Sequence, residues 1–210
     1  MQASRTLSCW AQQRVCSRQL FGLQRPRSNS MTLRTVLAFL PAILAACSGP
    51  LGIVQPPASY MPNVVSIAPR LVTAGQPSTH ALANLSAQGF GAVVHLGPLN
   101  AAAALSQEAA IVSRQGLVYI NIPIKSEIPT EPDYQLFASV MRSLSERKVL
   151  VHCQINVQAS SMVFLYRVVA MGEDPRLAYE SVLKVWSPDG PWLRFIRRVL
   201  SKHEVHFEPY

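Results

Sequence analysis

The chain has 210 residues, 49% of them hydrophobic, which suits one domain with a full core plus a terminal extension, and it carries a formal charge of +8. The charge is lopsided: Arg5, Arg14, Arg18, Arg25, Arg27 and Arg34 all precede Cys47, while the first acidic residue is Glu108. The 19 basic residues less those six leave 13 against 11 acidic ones, so the remainder is about +2, a balance that gives no support to nucleic-acid binding.

From Met31 a short positive start, Met-Thr-Leu-Arg, leads into an apolar stretch from Val36 to Ala46. That stretch is too short to span a bilayer and has the length of a signal-peptide core. Leu44-Ala45-Ala46-Cys47 resembles the bacterial lipobox, in which the signal is cut before a cysteine that receives lipid. The resemblance implies an upstream extension over 1–30, a lipoprotein signal over 31–46, and a lipid-bearing Cys47 that anchors the chain to a membrane. Ser48 after it implies the periplasmic face of the outer membrane. The alternative is a mitochondrial transit peptide over residues 1–46, which are rich in Arg, Ser and Gln and lack acids. Residues 47–62, with Pro50, Pro56, Pro57 and Pro62, read as an extended tether, and the folded domain is expected over 63–210.

Beyond the tether, short apolar runs near Leu71–Thr73, Ala92–Leu96, Val118–Ile122 and Val149–His152 predict buried parallel strands. Helical patterns near Ser78–Gln88, Leu105–Gln115 and Thr130–Glu146 alternate with them, and three more follow near Ser160–Met171, Pro175–Val185 and Pro191–Ser201. This alternation predicts an α/β layered fold with a mostly parallel central sheet and helices on both faces. Ligands in such sheets bind beyond the carboxyl ends of the strands.

One such end reads His152-Cys153-Gln154-Ile155-Asn156-Val157-Gln158-Ala159-Ser160-Ser161, with a helix expected at once afterwards. A loop between a strand's end and a helix's start aims several unpaired backbone N–H groups at one point, and the helix dipole adds positive potential there. Both favour an anion and a thiolate, so Cys153 is expected to have a pKa well below that of a free thiol and to act as a nucleophile near neutral pH. With Cys9 and Cys16 before the expected start and Cys47 lipidated, Cys153 is the remaining free thiol. The alternative is a buried structural thiol.

The segment resembles the active-site loop of protein tyrosine and dual-specificity phosphatases, His-Cys-x-x-Gly-x-x-Arg-Ser/Thr: His152, Cys153 and Ser160 match, Asn156 stands at the glycine and Ala159 at the arginine. It is more similar to a bacterial subgroup, including domains found beside NAD kinase or β-lactamase-like domains, whose loop reads His-Cys-x-x-Asn-x-Arg-x-Ser. In that frame Asn156 also matches and Gln158 replaces the arginine. Either frame lacks the guanidinium, a rigid charged fork for phosphoryl oxygens whose loss costs about 3–4 kcal/mol in the transition state. Arg70 to Pro77, Ala92 to Leu96, Val118 to Pro123 and Phe164 to Arg167 extend the similarity over residues 64–200.

The resemblance implies a phosphorylated small molecule or protein as partner, no cofactor and no metal. It makes Cys153 the nucleophile, residues His152, Gln154, Ile155, Asn156, Val157, Gln158 and Ala159 the phosphate cradle, and Ser160 a donor to the leaving thiolate. The alternative for Ser160 and Ser161 is helix capping. Asn156 is expected to turn the loop in a left-handed conformation with its side chain bracing the backbone. Glu127 is the first candidate for the general acid and Asp133 the second; the alternative is solvated loop and first-turn positions. The last helix, with Trp192, Phe195, Ile196, Val199 and Leu200 among arginines, reads as an amphipathic cap on the core rather than a basic surface. His95, His203 and His206 lack metal-ligand spacing with cysteine. Two other functions stay open: an inactive anion-binding module, and a rhodanese-like sulfurtransferase carrying a persulfide on Cys153.

Overall fold

The computed structural model describes residues 59–98 and 107–210. The expected extension, signal and lipidation site therefore lie outside the described residues. Of the expected tether, residues 59–62 are described. The Tyr60 carbonyl accepts from the Ser78 amide at 2.8 Å and the Pro62 carbonyl from the Gly75 amide at 2.6 Å.

Among the described residues five strands form one sheet: β1 (Val65–Ala68), β2 (Leu71–Ala74), β3 (Ala92–His95), β4 (Val118–Asn121) and β5 (Val149–His152). Their spatial order is β1-β2-β5-β3-β4. All neighbouring pairs are parallel except β1 with β2. β5 is central, flanked by β2 and β3, and every residue in it is buried, which is why it reads as an unbroken apolar run. β1 was not expected from the sequence. As an antiparallel edge strand of four residues, Val-Ser-Ile-Ala, it carries only a short alternating signal.

Successive side chains of each strand face opposite layers. Val94, Val149 and Val151 point into the larger layer, and Val93 and Leu150 into the smaller. The smaller layer is closed by α1 (Thr79–Ala83) and α2 (Glu108–Ser113) through Leu82, Ile111 and Val112. The larger is closed by α3 (Glu131–Ser143), α4 (Val157–Leu165), α5 (Pro175–Leu183) and α6 (Gly190–Lys202). The layered fold with helices on both faces is thus as expected. The helix expected near Ser78–Gln88 is broken: α1 ends at Ala83 and a 3-10 turn spans Ser86–Gln88, closed by Gly89 at φ 79°.

α4 is the central helix. Every residue from Gln158 to Leu165 is buried, so it has no exposed face, the signature of a helix surrounded by packing. It begins at Val157, earlier than its apolar pattern suggests, and passes into a π-helical turn over Tyr166–Ala170. α6 is the expected amphipathic cap. Trp192, Phe195, Ile196, Val199 and Leu200 are buried, Arg197 pairs with Glu208, and Lys202 reaches Glu131 at 3.3 Å. No helix among the described residues is long and apolar enough to cross a membrane.

Candidate functional site

The parallel register brings His95, Ala74 and His152 to one level at the carboxyl edge of the sheet. The chain then leaves β5 through Cys153 and turns into α4. Asn156 makes that turn in the left-handed region (φ 75°, ψ 0°), the conformation expected, and one that glycine or asparagine tolerates best. Its side chain is fully buried, with Nδ2 donating to the Asn63 carbonyl at 2.6 Å and to Thr73 Oγ1 at 3.1 Å. Asn63 returns the bond, its Nδ2 donating to the Ile155 carbonyl at 2.9 Å. The loop is tied on its other side by the Gln76 amide, which donates to the Gln154 carbonyl at 2.9 Å. A Cβ at Gly75 would lie 2.9 Å from that same carbonyl oxygen, so the turn after β2 needs glycine to pack this closely.

Held this way, the loop directs the backbone amides of Ile155, Asn156, Gln158 and Ala159 at the Cys153 sulfur. Cys153 is 1% exposed and lines the floor of a cavity of about 390 Å³. The expected lowering of its pKa is not found. Burial pushes the thiol up, and the four amides pull the other way without overcoming it. The physical reason is the composition of the loop: from Cys153 to Ser161 it carries no charged side chain, so only dipoles oppose the cost of desolvating a thiolate.

Several expected cradle side chains are engaged elsewhere. Gln158, which stands where the similar subgroup has arginine, donates its Nε2 hydrogens to the Ile124 carbonyl at 3.0 Å and to Ser126 Oγ at 2.9 Å. It therefore ties the loop after β4 to the base of α4. Ser160 and Ser161 both donate to the Val157 carbonyl, at 3.2 and 2.8 Å, bonds internal to α4 rather than to the sulfur. Gln154 and Ile155 are exposed at the rim, and Val157 lines the cavity. Ala159 is fully buried and contributes its amide.

The opposite rim is the loop after β4, where Lys125, Ser126 and Glu127 line the cavity. Glu127, the first acid candidate, is exposed there. Asp133, the second, is a helix cap: its Oδ2 accepts from the Thr130 amide at 2.8 Å and hydroxyl at 2.6 Å. Trp192 of α6 also lines the cavity. Its role there escaped the sequence because an indole at helical spacing is indistinguishable from a core residue.

Behind the loop lies a buried array that the sequence did not reveal. Glu108, in the first turn of α2, is 1% exposed and accepts from His152 Nε2 at 2.6 Å and from Gln76 Nε2 at 3.1 Å. His95 Nδ1 stands 3.8 Å from Glu108 Oε2 and 3.1 Å from Tyr119 Oη. The His95 and His152 rings are stacked, with centroids 4.5 Å apart and planes 11° apart. Burial together with His152 brings the His95 pKa down to about 4, against the pull of Glu108. Burial works to raise the Glu108 pKa, but the His152 bond, the two imidazoles and Gln76 hold it below the ordinary carboxylate value. His95, Glu108 and His152 put three ligand-type atoms within 4.8 Å of one another. Stacked imidazoles aim their in-plane lone pairs side by side rather than at one point, and 2.6 Å is a hydrogen-bond distance, so the array suits shared protons better than a metal ion.

Residues 65–186 match the family model described as DSP-PTPase phosphatase fused to NAD+ kinase. Among solved structures, the chain is similar to a DUF442 phosphatase-type protein of Shewanella putrefaciens CN-32, with 25% identity and a TM-score of 0.63 over 68% of this chain and 91% of that one. Tk-PTP, at 19% identity and a TM-score of 0.55, covers 70% of this chain and 99% of its own. TpbA of P. aeruginosa, at 19% identity and a TM-score of 0.52, covers 70% and 96%. The last two likenesses concern the fold alone. No curated protein matches the chain in sequence.

Proposed function

The chain belongs to the DSP-PTPase phosphatase family described as fused to NAD+ kinase, and on that premise we propose that it is a cysteine-dependent hydrolase of phosphomonoesters, weakened by the missing loop arginine. The observation that carries this reading is the convergence of four backbone amides on the Cys153 sulfur at the floor of an open cavity. Amides so placed match three phosphoryl oxygens as well as they match a thiolate.

In this mechanism the Cys153 thiolate attacks phosphorus, and a sulfur–phosphorus bond forms as the ester oxygen leaves. Glu127, on the opposite rim, gives that oxygen its proton. A water, deprotonated by the same carboxylate, then attacks phosphorus and the thiolate departs. With the thiol pushed up by burial, only a small fraction is ionised near neutral pH, so the reaction is slow there. The test is hydrolysis of a small aryl phosphate by the purified protein: activity abolished in Cys153→Ser supports the reading, and activity unchanged by that substitution refutes it.

A second reading has its own support. Because Gln158 spends both amide hydrogens on the 124–126 loop and no side chain from Cys153 to Ser161 is charged, the loop brings no cation to phosphate, which suits an anion-binding module without turnover. Binding of phosphate by a protein that hydrolyses nothing would favour it. We further propose, from the lipobox-like sequence, that Cys47 carries lipid at the periplasmic face of the outer membrane, tested by palmitate labelling that is lost in Cys47→Ser.

A further inference from the structure

His95 closes one side of the cavity, and the mechanism above gives it no task. Its ring is fixed at one end. Tyr119 Oη lies 3.1 Å from Nδ1, Glu108 Oε2 lies 3.8 Å from it, and the His152 ring covers one face. The other end packs beside Gly97, where a Cβ would sit 2.9 Å from His95 Nε2, so only glycine fits against that nitrogen, and the side chain is 2% exposed. Gly97, His95 and Cys153 line the same cavity. The inner nitrogen is thus anchored to a carboxylate and a phenol, and the outer one stands at the wall of the site.

We propose that His95 is the anion-sensing group of this cavity: when a phosphoryl or sulfuryl dianion enters, the ring takes up a proton, presents Nε2–H to an anion oxygen, and is neutralised from behind by Glu108. The inference rests on the reading that the cavity receives phosphomonoesters, and it supplies from β3 the positive charge that the loop lacks at Ala159 and Gln158. In the empty site the ring is neutral at physiological pH, because burial and the neighbouring imidazole disfavour its charged form. An entering dianion reverses that balance, since an opposite charge within a few ångström raises a histidine pKa by about 1–3 units. The titratable groups around the ring are His152 on β5, Tyr119 on β4 and Glu108 on α2, with Lys125, Glu127 and Cys153 across the cavity.

Sulfate is the probe of choice because it stays a dianion from about pH 5 to about pH 8, so any pH dependence of its affinity comes from the protein. Titration calorimetry of the whole protein is expected to give sulfate binding about tenfold tighter at about pH 5 than at about pH 8, with proton uptake read from buffers of different ionisation enthalpy. In His95→Asn the affinity is expected to vary less than about twofold, with no uptake. Should that variant fail to fold, imidazole ¹⁵N spectra of the unaltered protein replace it: sulfate should move the His95 resonances from the neutral to the protonated pattern. Sulfate that binds with flat pH dependence, or spectra that stay neutral, overturns the proposal. If aryl phosphate is nonetheless cleaved through Cys153, the phosphatase reading survives that failure; if sulfate binds at no pH and Cys153 cleaves nothing, both fall.

Discussion

His152 Nε2 and Glu108 Oε1 lie 2.6 Å apart across 44 residues of sequence, and neither side chain is more than 1% exposed. The bond requires the hydrogen to sit on Nε2, so Glu108 sets the tautomer and angle of the ring that immediately precedes Cys153. Through its second oxygen the same carboxylate holds Gln76, whose backbone amide supports the loop at Gln154. One buried acid therefore stands behind both ends of the cradle.

Replacing Glu108 by Ala strands the His152 N–H in a sealed interior and leaves the half-buried Gln76 amide without its acceptor. The expected loss is about 3–5 kcal/mol of stability, the range for breaking a buried charged hydrogen-bonded pair. Glu108→Gln keeps an acceptor for His152 and should lose less. Urea unfolding followed by circular dichroism measures both; a loss below about 1 kcal/mol for the alanine variant would show the array to be slack.

The acid side of the stability profile follows from His95. Its folded pKa of about 4 lies below its ordinary 6.5, so between those values the unfolded chain holds a proton that the folded chain does not. Stability is therefore fully present above about pH 6.5 and is lost as pH falls through the folded value, by about 3 kcal/mol in all. The depressed pKa of Glu108 acts in the same direction at the acid end. His95→Asn should flatten the limb that belongs to histidine, and melting temperatures across that window will show whether it does.

Cys153 should alkylate with a steep pH dependence. With its pKa pushed up by burial, the thiolate fraction grows about tenfold per pH unit through the neutral range and beyond. Iodoacetamide labelling followed by mass spectrometry is expected to rise accordingly and without a plateau near neutrality. A rate already saturated at about pH 7 would mean that the four amides outweigh burial.

Gln158→Arg trades the tie to Ile124 and Ser126 for a cation beside the sulfur. The variant is expected to bring the Cys153 pKa down and to raise aryl phosphate turnover by roughly two to three powers of ten, the value of one strong transition-state donor. It should also lose about 1–2 kcal/mol of stability, because the 124–126 loop loses its donor. Turnover unchanged in a folded variant would place the deficit elsewhere than in the guanidinium.

The readability of this site in the sequence follows the range of the interactions that build it. β5, the loop and the start of α4 are contiguous, so the apolar run, His152-Cys153 and the turn at Asn156 were legible from residue order alone. The left-handed Asn156 was expected because glycine and asparagine are the residues that tolerate that conformation. Glu108 was invisible: its partners His152, His95 and Gln76 are brought to it by strand order and by α2, and nothing local marks an acid as buried. The direction of the Cys153 shift is hidden from residue order for the same reason. The dipoles that favour a thiolate are local to the loop, whereas the desolvation that outweighs them comes from side chains packed from the whole larger layer. Gln158 shows a third case, a side chain whose position in a motif suggested the ligand but whose hydrogen bonds serve the neighbouring loop.

The most direct test is acid quenching of the protein during reaction with an aryl phosphate, followed by peptide mass spectrometry. A phosphoryl group on the peptide containing Cys153, absent from Cys153→Ser, is the predicted result. Steady hydrolysis that leaves Cys153 unmodified and survives its replacement by serine would contradict the account.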